Sequence, residues 1–202
     1  MLLENETASQ TAGPFVHIGL VPDSVGIKQR ALVSSELCSL GIPDGSKAIE
    51  VTGQVFDGSG SAIMDAVLEL WQADHQGHYP EQSAGGFRGW GRSAIDPELG
   101  HFSFRTIKPG PVTTQRGAVM APHLAFWLVA RGINLGLHTR MYFPEDLELH
   151  ALDPVLKSIE LKSRWSTLIA SSIEPVAQND ALLRYRFDIV LQGDRETVFF
   201  DI

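Results

Sequence analysis

The sequence predicts an all-β fold, an antiparallel β-sandwich with a few short helices and long loops. Apolar and polar residues alternate over residues 183–192, which is the pattern of a strand with one buried face. The same alternation runs over residues 48–56 and stops at the turn-forming cluster Asp-Gly-Ser-Gly at 57–60. Short segments of this kind, separated by turn residues, recur along the chain and favour a sandwich over an α/β fold.

The remaining elements follow from local patterns. Strands are expected, in chain order, over residues 48–56, 63–71, 102–107, 124–131, 138–143, 183–192 and 196–200. Asp153 followed by Pro154 predicts an N-cap and a short helix over 155–159, with a second short helix over 163–170, while residues 23–40 are weakly helical. Residues 79–91 are rich in glycine and polar side chains, so we expect a long irregular loop that carries function or covers another surface.

Length and composition indicate one domain spanning residues 1–202, with residues 1–20 as an N-terminal arm. A chain of 202 residues with 44% hydrophobic and 20% charged residues can bury one sizeable core, and no composition break suggests a linker. The net charge is −8, and no run of lysine and arginine could neutralise phosphates. A role in binding nucleic acid is therefore not expected.

Features of secreted and membrane proteins are not expected either. Cys38 is the only cysteine, so no intrachain disulfide can form. The first ten residues lack the basic start and apolar stretch of a secretory signal. The longest strongly apolar run, residues 124–130, is far shorter than the roughly 20 residues that cross a bilayer. We expect a cytoplasmic protein without membrane contact.

Three segments carry a resemblance to a known family. WQADHQGHYP (71–80), FSFRTIKPGPV (102–112) and APHLAFWLVARG (121–132) resemble the iron-ligand segments of the intradiol ring-cleaving dioxygenases. In that family two tyrosines and two histidines hold one ferric ion. The resemblance places Tyr79 and His123 at two of the ligand positions, and Val112 and Ala125 at the other two.

The replaced ligands bear directly on the chemistry of this chain. Ferric iron needs anionic oxygen and imidazole donors, and neither an isopropyl nor a methyl side chain offers a lone pair. Tyr79, Val112, His123 and Ala125 are therefore interpreted as vestigial ligand positions. We expect no metal bound by this chain and no catalytic residue in it.

The N-terminal arm, SQTAGPFVHIGL over residues 9–20, is the second informative segment. Thr11, Gly13 and Pro14 form a small, stiff turn that exposes backbone. The segment resembles the arm of those family members that pair with a homologous iron-bearing chain, which implies that these three residues line the cavity above the partner's iron. The alternative is a flexible terminus with a turn.

Arg131 is the candidate for recognition of an anionic substrate. It follows an apolar strand, so its guanidinium is expected at a strand end, where its fork of donors can grip a carboxylate. The resemblance implies that this arginine faces the substrate cavity. The alternative is an exposed strand-end arginine paired with a nearby acid.

The resemblance covers nearly the whole chain, since residues 183–202 also match. It implies a non-iron-binding α-type subunit of a dioxygenase, paired with a homologous β subunit that holds Fe(III) and all four ligands. The implied substrates are O2 and a small aromatic acid, 3,4-dihydroxybenzoate, whose ring is opened between the hydroxylated carbons to 3-carboxy-cis,cis-muconate. The chain alone would be inactive and would shape the cavity.

Two alternatives remain open. The first is a self-sufficient iron enzyme with unconventional ligands, drawn from Tyr79, His123, His138 and Tyr142, the last two lying four residues apart on one face of a predicted strand. It predicts a coloured protein, because charge transfer from tyrosinate to iron absorbs visible light. The second is a non-enzymatic sandwich module that binds small aromatic acids or a partner protein, and it predicts a stable monomer.

Overall fold

The computed structural model describes residues 10–27, 34–39, 41–80, 87–174 and 182–201. The strands of this part of the chain are β1 (Ala48–Gly53), β2 (Val55–Phe56), β3 (Val67–Trp71), β4 (Trp90–Ala94), β5 (Phe102–Ile107), β6 (Val112–Thr113), β7 (Val119–Met120), β8 (His123–Val129), β9 (Leu137–Tyr142), β10 (Ser171–Ile173), β11 (Leu183–Arg186) and β12 (Ile189–Val190). The α-helices are α1 (Val16–Leu20), α2 (Leu147–His150) and α3 (Pro154–Lys157), and 3₁₀ helices span Pro22–Val25 and Lys162–Leu168.

Two four-stranded sheets form the layers of the sandwich. Their strand orders are β10-β11-β1-β5 and β4-β3-β8-β9, and the pairs β2–β12 and β6–β7 form two small ribbons. Most neighbours are antiparallel, but β1 pairs with β11, and β2 with β12, in parallel. The predicted all-β sandwich with short helices is confirmed, and the parallel pairs are an addition that alternation within one strand cannot reveal.

The core lies between the two sheets because alternate residues of each strand point inward. On β8, Leu124, Phe126 and Leu128 are buried. Phe126 is the centre of an aromatic cluster, with its ring centroid 6.0 Å from that of Phe102, 5.9 Å from that of Phe104 and 5.8 Å from that of Phe187. These contacts hold β8 of the second sheet against β5 of the first.

A second, smaller core covers the outer face of the second sheet. Its buried members are Ala121, Tyr142, Leu156, Leu168 and Val198. The predicted N-cap is confirmed here, since the Asp153 carboxylate accepts hydrogen bonds from the backbone N–H groups of Val155 and Leu156 at the start of α3. Residues of the second-sheet outer face near α3 are therefore buried rather than solvated.

The strand predicted over residues 183–192 is interrupted. β11 ends at Arg186 and β12 begins at Ile189, in register with a similar interruption between β1 and β2. Asp188 accepts a hydrogen bond from the Gln54 backbone N–H at 3.0 Å, and a Cβ on Gly53 would collide with the Phe187 carbonyl. The close backbone approach that Gly53 permits explains why both strands are interrupted at the same level.

Other predicted boundaries differ from the structure. The strand expected over 63–71 spans only Val67–Trp71, and residues 196–200 contribute one isolated bridge, between Phe200 and His138. Strands over 102–107, 124–131 and 138–143 are confirmed as β5, β8 and β9 within two residues. The predicted loop 79–91 ends in β4, which begins at Trp90, and its residues 81–86 lie outside the described residues.

Helical predictions were partly correct. The helix expected over 163–170 is a 3₁₀ helix, Lys162–Leu168. Of the weakly helical stretch 23–40, only the 3₁₀ helix Pro22–Val25 is observed, residues 34–39 contain no helix, and residues 28–33 and 40 lie outside the described residues. In the parts of the chain described by the structure, no helix is long and apolar enough to cross a membrane.

Candidate functional site

The N-terminal arm and Arg131 lie together on one surface. The Ala12 N–H donates to the Ile133 carbonyl at 3.1 Å, and the Gly132 N–H donates to the Ala12 carbonyl at 3.1 Å. This reciprocal pair of hydrogen bonds places Thr11 and Gly13 beside the chain segment that carries Arg131. Thr11, Gly13 and Arg131 are all exposed. The sequence predicted these residues as two separate candidates, and the structure joins them.

Among the residues that the structure describes, the guanidinium of Arg131 is held by an acid on one side only. Its Nε lies 3.2 Å from Oδ2 of Asp65, whose side chain is only 13% exposed, while the Arg131 side chain is 67% exposed. The terminal nitrogens of the fork are on the exposed side chain and can bind a carboxylate. The acid partner of the alternative interpretation is thus present, but an ion pair this exposed adds little stability. Sequence reasoning missed Asp65, which lies in the short segment before β3.

The backbone around Arg131 and the arm is unusually accessible. Gly132 has φ +87°, in the left-handed region that favours glycine, and a Cβ there would have no neighbour within 4 Å. A Cβ on Gly13 would also meet open space. Further along the arm, the carbonyl of Leu20 accepts a hydrogen bond of 2.9 Å from Arg92. The arm is therefore tied to the sandwich at both ends of its described part, with its turn exposed.

The vestigial ligand positions converge elsewhere, on the outer face of the second sheet. His123 and Ala125 alternate on β8, and Ala125 stands opposite Trp71 of β3. The ring of Tyr79 stacks on that of Trp71 with 6.4 Å between centroids. Val112 is opposite Met120 in the β6–β7 ribbon. The structure thus brings these four positions together, and their assignment as former iron-ligand positions stays a prediction.

Arg140 occupies the middle of this group. It stands opposite Ala125 in the β8–β9 register, and its Nη1 donates to Met120 Sδ at 3.4 Å. Its positive charge acts on the side chains of Tyr79 and His123. Arg140 was missed by sequence reasoning, although it alternates with His138 and Tyr142 on a predicted strand and so shares their face.

The residues present do not fit a ferric ion. Val112 is 6% exposed and apolar, so a buried ligand position has no donor. A guanidinium already places positive charge where a trivalent cation would need anionic donors. Within the described residues, no group of three or more His, Cys, Asp or Glu side chains is arranged to hold a metal.

His123 and Tyr142 are embedded in structural interactions. His123 Nδ1 lies 2.7 Å from the Ala121 carbonyl, so Nδ1 carries the proton and donates. Burial lowers the pKa of His123 to about 4, and the charge of Arg140 acts in the same direction. Burial raises the pKa of the Tyr142 hydroxyl, with Asp153 adding to the effect. Both side chains are therefore neutral at pH 7.

The unconventional ligand set is not assembled around a common point. The Tyr142 hydroxyl is directed to Asp153, with Oη 3.5 Å from Oδ1. His138 stands opposite Trp127 and bridges Phe200, with Arg140 between it and Tyr142 along β9. Burial raises the pKa of the Tyr79 phenol above its ordinary value, which further disfavours the tyrosinate that an iron ligand must supply. The geometry does not favour this set as an iron site.

Comparison with known proteins places the chain in a family. Residues 34–193 match the family model described as Dioxygenase. The chain is 44% identical to the protocatechuate 3,4-dioxygenase alpha chain of Pseudomonas putida, over 97% of this chain and 96% of that one. It is 34% identical to the beta chain of the corresponding enzyme of Burkholderia cepacia, over 76% of this chain and 67% of that one.

A solved structure agrees on the fold. The dioxygenase domain of a dioxygenase and carbohydrate-binding protein fusion from Streptomyces sp. SirexAA-E superposes with a TM-score of 0.55 at 23% identity, covering 82% of this chain and 89% of that one. The matched family model covers most of the chain, and the alpha-chain relative matches it nearly from end to end. The chain therefore belongs to the family of intradiol ring-cleaving dioxygenases.

Proposed function

We propose that this chain is the α subunit of a protocatechuate 3,4-dioxygenase, a single domain of residues 1–202 whose arm, residues 1–20, reaches a homologous β chain. The β chain holds the ferric ion with all four ligands. The pair cleaves 3,4-dihydroxybenzoate with O2 between the hydroxylated carbons, giving 3-carboxy-cis,cis-muconate. The similarity to alpha chains over nearly the full length, and to a beta chain at lower identity, supports this assignment.

One observation carries the proposal: the arm is bonded to the segment of Arg131 on an exposed surface that is incomplete as a pocket. Ala12 exchanges two backbone hydrogen bonds with Gly132 and Ile133. Within the described residues, a Cβ on Gly13 or Gly132 would meet open space, and the exposed Arg131 side chain is paired through Nε with Asp65. A cavity formed with a second chain would complete the surface.

The chain's own residues bind and orient the substrate in this proposal. Asp65 holds Nε of Arg131, and the terminal N–H groups of the guanidinium then donate two hydrogen bonds to the substrate carboxylate. Thr11, Gly13 and Pro14 form a wall that presents backbone to the ring and excludes water from the reacting face. Iron of the partner chain supplies the ring-opening chemistry.

Replacing Arg131 with glutamine in the assembled enzyme should raise KM for 3,4-dihydroxybenzoate about 10- to 100-fold and change kcat little. A charge-assisted hydrogen bond is worth roughly 1.5–3 kcal/mol, and the carboxylate lies away from the carbons that react. Steady-state kinetics measures both constants. Arg164→Gln is the matched control, because Arg164 is also a partly exposed arginine paired with an acid, Glu196, at 3.3 Å. Equal KM values for the two variants would remove Arg131 from the substrate site.

Iron content tests the assignment as a whole. Chain expressed with its β partner should purify as a coloured complex with about one iron per pair, whereas this chain expressed alone should contain no stoichiometric iron, since two ligand positions lack donors. Elemental analysis and visible absorption read out both preparations. A ferric, coloured preparation of this chain alone would establish the self-sufficient enzyme instead. A stable monomer that never associates with a β chain would support the binding module.

A further inference from the structure

A row of three side chains crosses the outer face of the second sheet. Trp71 of β3, Ala125 of β8 and Arg140 of β9 are register partners on adjacent strands. Residues directly opposite one another point to the same face, and strands lie roughly 4.7–4.9 Å apart. The indole and the guanidinium therefore stand on backbones separated by roughly 10 Å, with the methyl group of Ala125 between them in the sheet and the Tyr79 ring stacked on the indole.

The space over Ala125 is open to solvent. Ala125 is partly exposed, whereas its neighbours on β8, Leu124 and Phe126, are buried on the core side. One wall is aromatic, because Trp71 is 45% exposed and stacks on Tyr79 at an interplanar angle of 20°. A flat apolar surface of this kind accommodates a planar ring by offset stacking.

The opposite wall is cationic. Arg140 has five N–H donors, and its described polar partners are the thioether of Met120, at 3.4 Å, and the hydroxyl of Tyr142. A thioether is a weak acceptor, and among the described residues no carboxylate forms an ion pair with this guanidinium. Its remaining donors can bind an anionic group in two-pronged fashion.

We propose that the slot between Trp71 and Arg140 binds an aryl carboxylate, with the ring over Ala125 and the carboxylate on the guanidinium. Arg140 supplies the positive charge that a metal supplies in an iron-bearing chain, so the vestigial centre has become an anion-binding site without catalytic residues. Ala125 lies within β8, and Arg131 lies in the turn after the strand ends at Val129; the four residues of strand beyond Ala125 alone span about 13 Å at 3.3 Å per residue. The slot is thus separate from the surface of Arg131, and the inference does not depend on the proposed β chain.

The test counts benzoate sites, because benzoate carries the ring and the carboxylate but no hydroxyl group that could chelate iron. Equilibrium binding to the assembled protein should show two sites per α–β pair. Arg140→Gln should weaken one site at least 10-fold and leave the other unchanged, and Arg131→Gln should do the reverse. Benzyl alcohol, which lacks the carboxylate, should not bind the Arg140 site. Arg140→Lys keeps the charge but not the fork, and should retain part of the affinity.

The outcomes separate this proposal from the proposed function. If Arg131→Gln removes one benzoate site and Arg140→Gln changes neither site, the slot proposal is overturned and the α-subunit assignment stands. A site affected only by Arg140→Gln would support the slot and count against the Arg131 surface. If the Arg140 variant does not fold, crystals of the wild-type assembly soaked in 4-bromobenzoate decide the matter. An anomalous bromine peak between Trp71 and Arg140 is expected, and a peak confined to the Arg131 surface would refute the slot.

Discussion

Replacing Asp153 with alanine should lower the free energy of unfolding by about 3–5 kcal/mol, because each buried backbone donor left without its acceptor costs roughly 1–3 kcal/mol. Asp153 is fully buried, and its Oδ1 accepts the N–H groups of Val155 at 2.8 Å and Leu156 at 3.0 Å. Its Oδ2 accepts the Ala121 N–H at 2.8 Å. The substitution removes the cap of α3 and leaves three backbone donors without an acceptor beside the second core.

Urea-induced unfolding of the native assembly, followed by fluorescence, measures this loss. Asp57→Ala is the matched control, because the Asp57 carboxylate also accepts the N–H groups of Ser59 and Ser61 but in an exposed turn. Its cost should be below about 1 kcal/mol, since water replaces the lost acceptor. Asp153→Asn keeps one carbonyl oxygen and should fall between the two. Equal losses of unfolding free energy for Asp153→Ala and Asp57→Ala would show that the burial of Asp153 does not increase its contribution to stability.

Replacing Phe126 with alanine should cost about 3–5 kcal/mol, the range for large-to-small changes of buried aromatic side chains. Phe126 is 1% exposed and contacts Phe102, Phe104 and Phe187 with ring centroids at most 6.0 Å away. Truncation leaves a cavity at the junction of both sheets. The surrounding rings belong to β5 and to the segment between β11 and β12, so collapse around the cavity would require both sheets to shift.

The same unfolding measurement applies to this variant. Phe126→Leu retains most of the volume and should cost less than half as much as the alanine variant. A cavity should shift the urea midpoint and leave unchanged the slope of the unfolding free energy against urea concentration. A change in that slope would indicate altered compactness of the folded or unfolded state instead. A loss below about 1 kcal/mol for Phe126→Ala would mean that the aromatic cluster does not hold the sheets together.

Local sequence patterns predicted those elements that depend on interactions between residues close together in the chain. Alternation at the start of Phe102–Ile107 located β5, because buried and more exposed residues take turns from Phe102 to Arg105. Asp153 and Pro154 predicted the start of α3, because an N-cap and a proline at the first helical position act within a few residues. The four vestigial positions were grouped by resemblance, and the register of β8 then placed His123 and Ala125 on one face.

What the sequence did not reveal depends on contacts between distant residues. The close approach of Gly53 to the carbonyl of Phe187 interrupts two strands at once, and no pattern within either strand contains it. The position of Arg140 among the vestigial residues depends on the pairing of β8 with β9. The contact of Ala12 with Ile133 likewise joins segments that are far apart in the chain. Local patterning carries no information on such pairings.

The docking of the arm through Ala12 uses main-chain atoms alone. Any residue except proline supplies the same N–H and carbonyl, so attachment places almost no demand on the side chains at positions 11, 13 and 14. In the proposed enzyme these positions are free to diversify while the arm stays in place. Substitutions in the arm could then adapt the enzyme to new ring substituents, while the iron-bearing chain stays unchanged.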